Sequence, residues 1–221
     1  FSGANEIGTS YFASVGYTDE TGVLINSGFK RLSARLNLDQ RLSKFINVGL
    51  RLQYGNTAYN GLIGDWRVDN AVAQSVFLNP FINRDNITGA SEGLVNNGGQ
   101  GVSPESPEYR LKQTELTRNQ DQLQGTVNLS IKPTDWLEFA FTGGFIPETT
   151  NRNFFVSGVL REASDTRGRA ELEAERNIRW NLQPRIAINK SFGDHKINAT
   201  MVYELRKNSS DKVYTRYEQF A

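Results

Sequence analysis

Cysteine is missing from the 221-residue chain, and histidine and methionine occur once each. Without thiols there is no disulfide scaffold, no thiolate zinc site and no cysteine nucleophile. A single histidine, His195, excludes a multi-histidine metal centre. Neither sign of charge is in excess: 25 Lys and Arg face 24 Asp and Glu, for a net +1. That balance argues against a nucleic-acid arm or a polybasic membrane anchor. No apolar run approaches the roughly 20 residues of a spanning helix. Membrane strands are untouched by that absence, because a barrel strand hides its apolar residues by alternation. Glycine is plentiful, at 20 residues, and asparagine is frequent, which points to many turns. The opening Phe1-Ser2-Gly3-Ala4-Asn5 is neither a signal peptide nor a capped beginning, and residues 214–221 carry no stop signal. The expectation is an internal stretch of a longer protein.

Period-two alternation dominates what is present. Leu32, Ala34, Leu36 and Leu38 alternate with Arg31, Ser33, Arg35 and Asn37. A turn over 39–44 leads into Ile46, Val48, Leu50, Leu52 and Tyr54, set against Asn47, Gly49, Arg51 and Gln53. The two runs read as a hairpin. A second hairpin sets Leu123, Val127, Leu129 and Ile131 before Pro133-Thr134-Asp135, and Leu137, Phe139, Phe141 and Phe145 after it. A third joins Ile178, Trp180, Leu182, Ile186 and Ile188 to Ile197, Ala199, Met201, Tyr203 and Leu205 through Ser191-Phe192-Gly193-Asp194. Tyr11, Ala13, Val15 and Tyr17 mark one more strand, and Phe1-Ser2 the tail of another. The total is seven strands and part of an eighth. Pro184, inside one of them, predicts a bulge or a local break. A short helix is expected over 71–78, capped by Asp69.

The connections sort by length. Short ones fall at 3–8, 39–44, 133–135 and 190–195; the others fall at 19–28, near 56–120, near 146–169 and after 207. Short turns at one end and long loops at the other are the asymmetry of an outer-membrane barrel. The polar side of the strands carries Arg31, Arg35, Arg51, Arg179 and Arg185 among Asn, Gln, Ser and Thr, while the apolar side is nearly free of charge. A lipid-facing band opposite a wet lumen predicts this division. Tyr17, Tyr54, Phe145, Trp180 and Tyr203 gather towards the long-loop end, and Tyr11, Trp136 and Phe192 towards the short-turn end, as interfacial aromatic belts do. The same alternation also suits a soluble antiparallel sandwich, such as a carbohydrate-binding module, whose apolar faces would meet in one dry core.

One stretch is distinctive. Tyr11-Phe12-Ala13-Ser14-Val15-Gly16-Tyr17, then Asp19-Glu20-Thr21-Gly22, then Phe29 to Asp39 with its Arg31-Leu32-Ser33-Ala34-Arg35-Leu36-Asn37 core, resembles the early barrel of SusC/RagA-type TonB-dependent transporters of Bacteroidota. Leu78-Asn79-Pro80 and Asp194-His195-Lys196 add weaker likeness. The resemblance implies an all-β, antiparallel transmembrane barrel of about 22 strands around an N-terminal plug. It further implies residence in the outer membrane, a SusD-like surface lipoprotein as lid, TonB as the source of energy, and glycan or peptide cargo. Residues 1–221 then form a partial barrel domain, about a third of such a barrel, with long extracellular loops near 56–120 and 146–169 and no plug. The rest of the barrel and its plug, outer-membrane lipid, the lipoprotein and the TonB complex are its implied partners; no nucleic acid is among them.

No catalytic residue, cofactor or metal site is expected, and the chain reads as a non-enzyme. An enzyme barrel would need a nucleophile beside a base. His195, next to Asp194 and near Ser191, lies in a tight turn without a pocket, and adjacency in sequence does not supply triad geometry. Glu171, Glu173 and Glu175 stand on one strand side and read as a solvated rim rather than an opposed acid–base pair. Asn83-Arg84-Asp85-Asn86 has oxygen ligands but lacks the glycine of a calcium loop. Gly98-Gly99-Gln100-Gly101 lacks the Lys-Ser/Thr of a phosphate loop. The functional candidates are the five arginines, as lumen groups meeting plug, cargo or lumen acids. With them stand Trp66, Phe77 and Phe81 in the long loop, as rings to pack within that loop, to stack on sugar or to pack against a lid protein.

Overall fold

The computed structural model describes residues 1–5, 8–61, 75–76 and 107–220. Nine strands form one antiparallel sheet: β1 (Ser2–Ala4), β2 (Thr9–Thr21), β3 (Gly28–Arg41), β4 (Ile46–Asn60), β5 (Thr114–Thr134), β6 (Leu137–Val156), β7 (Arg169–Phe192), β8 (His195–Val202) and β9 (Leu205–Glu218). Two short helices, α1 (Pro107–Gln113) and α2 (Arg161–Ser164), lie in the connections. Each strand from β1 to β7 pairs with the next in sequence, and β9 pairs with β7 beside β8, so the nine occupy eight places. The all-β, antiparallel expectation holds. Of the helix expected over 71–78, only Ser75 and Val76 lie within the described residues, and both are helical.

Pro184 acts on its neighbour strand. Tyr203 N–H donates to the Pro184 carbonyl at 3.0 Å, but proline has no N–H with which to answer. The ladder therefore lapses at Tyr203 and Glu204, between β8 and β9. No bulge accompanies it: Arg185↔Val202 and Leu182↔Leu205 keep one register across the gap. The register shift that does occur lies between Ile131 and Thr134, where β5 turns over Pro133. At the β7–β8 turn, Phe192 pairs with His195 and Gly193 takes a φ of 55°. A two-residue hairpin needs that left-handed residue, and glycine adopts it freely.

The two faces differ as the alternation requires. One continuous row, Tyr11–Leu38–Leu50–Val127–Gly143–Leu182–Leu205, crosses seven places of the sheet on the apolar side. Tyr11 begins the apolar band of β2 at its short-turn end, whereas Leu205 closes the band of the last place at its long-loop end. The band thus runs oblique to the ladder, as it must where strands tilt in a barrel wall. Among the described residues no second sheet covers it: each strand packs against other strands only as a ladder neighbour, and Val15 and Met201 stay 77% and 68% exposed. The single dry core of a sandwich is not found among the described residues, and that expectation fails. No described helix is long and apolar enough to cross a membrane.

Strands β5, β6 and β7 hold 21, 20 and 24 residues, about twice the 9–11 that cross a bilayer. They run on past the band towards the long loops. The connections expected near 56–120 and 146–169 are accordingly 61–113, with α1 at its end, and 157–168, with α2. Here the only buried apolar cluster of the described residues forms from Phe154, Val156, Leu160 and Ala163, with Tyr109 and Leu116 packed against it. Arg110 of α1, buried, pairs with Glu162 of α2. Asn26, in the β2–β3 turn, donates to the Leu111 carbonyl at 2.9 Å and ties a third connection to the same cluster.

Candidate functional site: the polar face of the wall

Side chains opposite the apolar band form the polar face, and its charges depend on height. Near the short turns two arginines are held by acids. Arg51 Nη2 donates to both oxygens of Asp39, at 2.7 and 2.8 Å, and its Nη1 donates to the carbonyls of Leu38 and Leu50. Gly49 permits this, since a Cβ there would stand 2.9 Å from the Asp39 carboxylate. Arg185 meets Glu138 at 3.2 Å, and Ser130 donates to the same carboxylate at 2.9 Å. These groups line a concavity of about 630 Å³. Midway, Arg179 reaches Glu148 at 3.4 Å, and Arg35 donates to the Gln53 amide oxygen at 3.0 Å. Arg31 stands in register between Thr18 and Thr57, without an ion-pair partner among the described residues.

The five arginines therefore share one face but do not converge on one point. Three of them are held by acids of the same wall. Trp66, Phe77 and Phe81 lie outside the described residues. His195 is exposed at its turn. Glu171, Glu173 and Glu175 do share one side of β7; they engage Arg169 at 3.2 Å, Lys212 at 3.0 Å and Asn177 at 2.8 Å respectively. The segments 83–86 and 98–101 lie outside the described residues, and no cluster of metal ligands occurs among those described.

Higher on the same face a second row reads Glu20–Phe29–Tyr59–Arg118–Arg152–Glu173–Tyr214 across seven places. Phe29, Tyr59, Arg118, Arg152, Glu173 and Glu175 line a concavity of about 540 Å³. Sequence reading missed this row because Tyr59, Arg118 and Arg152 fell in stretches taken for loops. The signal was present: Arg118, Gln120, Gln122 and Gln124 continue the polar parity of β5.

The apolar side has its own landmarks. Tyr17 and Tyr54 each direct a hydroxyl to a carboxylate just beyond the band, Asp19 at 3.1 Å and Asp121 at 2.8 Å. A ring whose body is apolar and whose tip is polar belongs where hydrocarbon gives way to headgroups. Above the band, Asp19 lies 3.2 Å from Lys30; that hydrogen bond and its charge hold the ammonium pKa above that of ordinary lysine. At the opposite rim, Lys190 Nζ sits 4.4 Å from the Trp136 ring centre and 5.0 Å from that of Phe192, an ammonium led out along its stem over two aromatic faces.

No protein-family model matches the chain. TonB-dependent receptor P3 of Formosa agariphila is 23% identical over 225 residues, covering 100% of the chain, and receptor P26 of the same organism is 27% identical over 221 residues, covering 96%. The chain spans only 22% and 21% of those relatives. Among solved structures, the RagAB peptide transporter superposes over 100% of the chain and 25% of its own length, with a TM-score of 0.75 at 21% identity. The RagAB peptide importer in its open-open state gives 0.74 at 20% identity over 99% of the chain. By sequence to the receptors and by fold to RagAB, the chain resembles the barrel wall of SusC/RagA-type TonB-dependent transporters.

Proposed function

We propose that the chain forms part of the barrel wall of an outer-membrane importer that takes up oligomeric nutrients, glycans or peptides, at the expense of energy delivered through TonB. The observation that carries this reading is the single two-faced sheet, with an oblique uncovered apolar band and tyrosines reaching for carboxylates at its rim. A sheet with such a face needs hydrocarbon against it. The paired arginines of the lower polar face, Arg51 and Arg185, then line the lumen where a plug sits. Arg31, Arg35 and Arg179 line the path above it. The long connections lie outside the cell, where a SusD-like lipoprotein closes the mouth. Peptide cargo draws support from the fold shared with the RagAB peptide transporter.

The intact protein tests this reading. It is expected to fractionate with outer membranes, to need detergent for release, and to change its electrophoretic mobility on boiling, as closed barrels do. Uptake of its cargo is expected to stop when the proton-motive force is collapsed. Release into plain buffer as a monodisperse protein would refute the proposal.

A further inference from the structure

Arg118 and Arg152 stand directly opposite one another on β5 and β6. Like charges so placed repel and destabilise a sheet unless something anionic lies between them. Neither has an ion-pair partner among the described residues. Glu173 faces Arg152 in the register, but its carboxylate is 3.0 Å from Lys212, and Glu175 accepts from Asn177 at 2.8 Å. The pair thus keeps its positive charge exposed in a concavity of about 540 Å³, a size that suits a small ligand or one end of a longer one. On the other side, in the same row, come the rings of Phe29 and Tyr59. Arg51, Arg179 and Arg185 are compensated by acids of the wall; here two guanidinium groups, uncompensated among the described residues, stand side by side.

Resting on the importer reading above, we infer that the row Phe29–Tyr59–Arg118–Arg152 is a docking subsite for acidic oligopeptide cargo, the arginine pair taking a carboxylate and the two rings the neighbouring apolar side chain. Guanidinium groups bind carboxylates through parallel N–H donors. The succession along the row is rings, cations, then carboxylates, which are the complements of apolar, acidic and basic side chains or of a free amino end. A neutral sugar offers hydroxyls and no charge; Gln120 at the edge of the concavity could take a hydroxyl, but a neutral ligand would leave the repulsion between the two guanidinium groups uncompensated.

The test uses the full-length transporter purified from outer membranes in detergent, wild type beside R118Q/R152Q and F29A/Y59A. Each is incubated with a peptic digest of serum albumin, washed, and its retained peptides are identified by mass spectrometry. Barrel closure is checked by mobility before and after boiling, and either single arginine replacement serves if the double variant does not close. The wild type is expected to enrich peptides in which Asp or Glu adjoins an apolar residue. Enrichment should fall about tenfold in R118Q/R152Q, the loss of a charge-assisted hydrogen bond, while neutral peptides are retained as before. F29A/Y59A is expected to lose the apolar preference and keep the acidic one. Unbiased retention by the wild type, or a bias unchanged in the arginine variant, overturns the subsite and leaves the importer reading standing. Displacement of bound peptide by trigalacturonate as readily as by an acidic peptide also overturns it, in favour of a uronate site. Retention of no peptide at all removes the peptide reading of the cargo together with the subsite.

Discussion

The two ends of this wall hold themselves together differently. At the short-turn end, the hairpins are tight and the ion pairs lie on an open face: Arg51 and Asp39 have side chains 40% and 52% exposed. At the long-loop end, the strands run on past the apolar band and their connections pack against the strand ends. There Phe154, Val156 and Leu160 are buried and the Arg110 guanidinium is 3% exposed against Glu162. The difference follows from chain length. A turn of two residues has nothing to bury, whereas long connections bring helices and aliphatic side chains that must bury theirs. The mouth is therefore held by packing between strand ends and connections, and this leaves the row below it free to present arginines without ion-pair partners among the described residues. Near the turns the sheet itself suffices, and its polar face pairs Arg51 and Arg185 with acids of the same wall.

If this contrast is real, the most damaging single change lies at the mouth. Replacing Arg110 by Met removes the ion pair of a partly buried Glu162 and should cost about 3 kcal/mol locally. Hydrogen exchange in 107–116 and 154–164 is expected to rise, while exchange in β3 and β4 below the band stays unchanged. R110M/E162L should recover most of the loss, because an apolar pair suits the same cluster. A smaller effect is expected from Gly158→Ala. Its Cβ would fall 2.5 Å from the Arg167 carbonyl carbon and 2.7 Å from the Gly168 nitrogen, and overpacking of this kind costs about 1–3 kcal/mol. Limited proteolysis of the 157–168 connection would report it. If G158A is cut no faster than the wild type, the tight loop closure is not what holds the mouth.

The same contrast explains what could be read in advance. Between Tyr11 and Tyr17, or between Ile46 and Tyr54, lipid on one side and polar groups on the other impose strict alternation, so strand, partner and facing were legible. Past the band both sides are wet. Asn119, Asp121, Thr149, Asn151 and Arg176 occupy positions of apolar parity, and a strand with two polar faces looks like a loop. That is why Arg118 and Arg152 went unseen although the strands carrying them continue unbroken. The mouth cluster was illegible for another reason: Tyr109 comes from α1, Phe154 from the end of β6 and Leu160 from the connection after it, and no local spacing joins them. Arg51 and Asp39 were both visible on the polar side, but their pairing depends on Gly49 leaving room. Pro184 was read as a bulge or break; the break fell on the facing strand because the missing donor belongs to that ladder. Pro184→Ala should restore an N–H to the Tyr203 carbonyl, slow exchange at residues 203–205, and stabilise by about 1 kcal/mol.

The smallest expected effect is at the short-turn end, and it sets the scale for the others. Asp39→Asn removes a carboxylate that receives two bonds from Arg51, yet the guanidinium keeps its bonds to the Leu38 and Leu50 carbonyls at 3.1 Å. The amide that replaces the carboxylate is nearly isosteric and still accepts one bond. Because the pair is exposed, the change should cost no more than about 1 kcal/mol, and added salt should shrink it further. Urea unfolding of the intact barrel in detergent measures this against R110M under the same conditions. A D39N penalty equal to that of R110M and indifferent to salt would mean that the ions near the turns are as sequestered as those at the mouth. The two ends would then differ in shape alone.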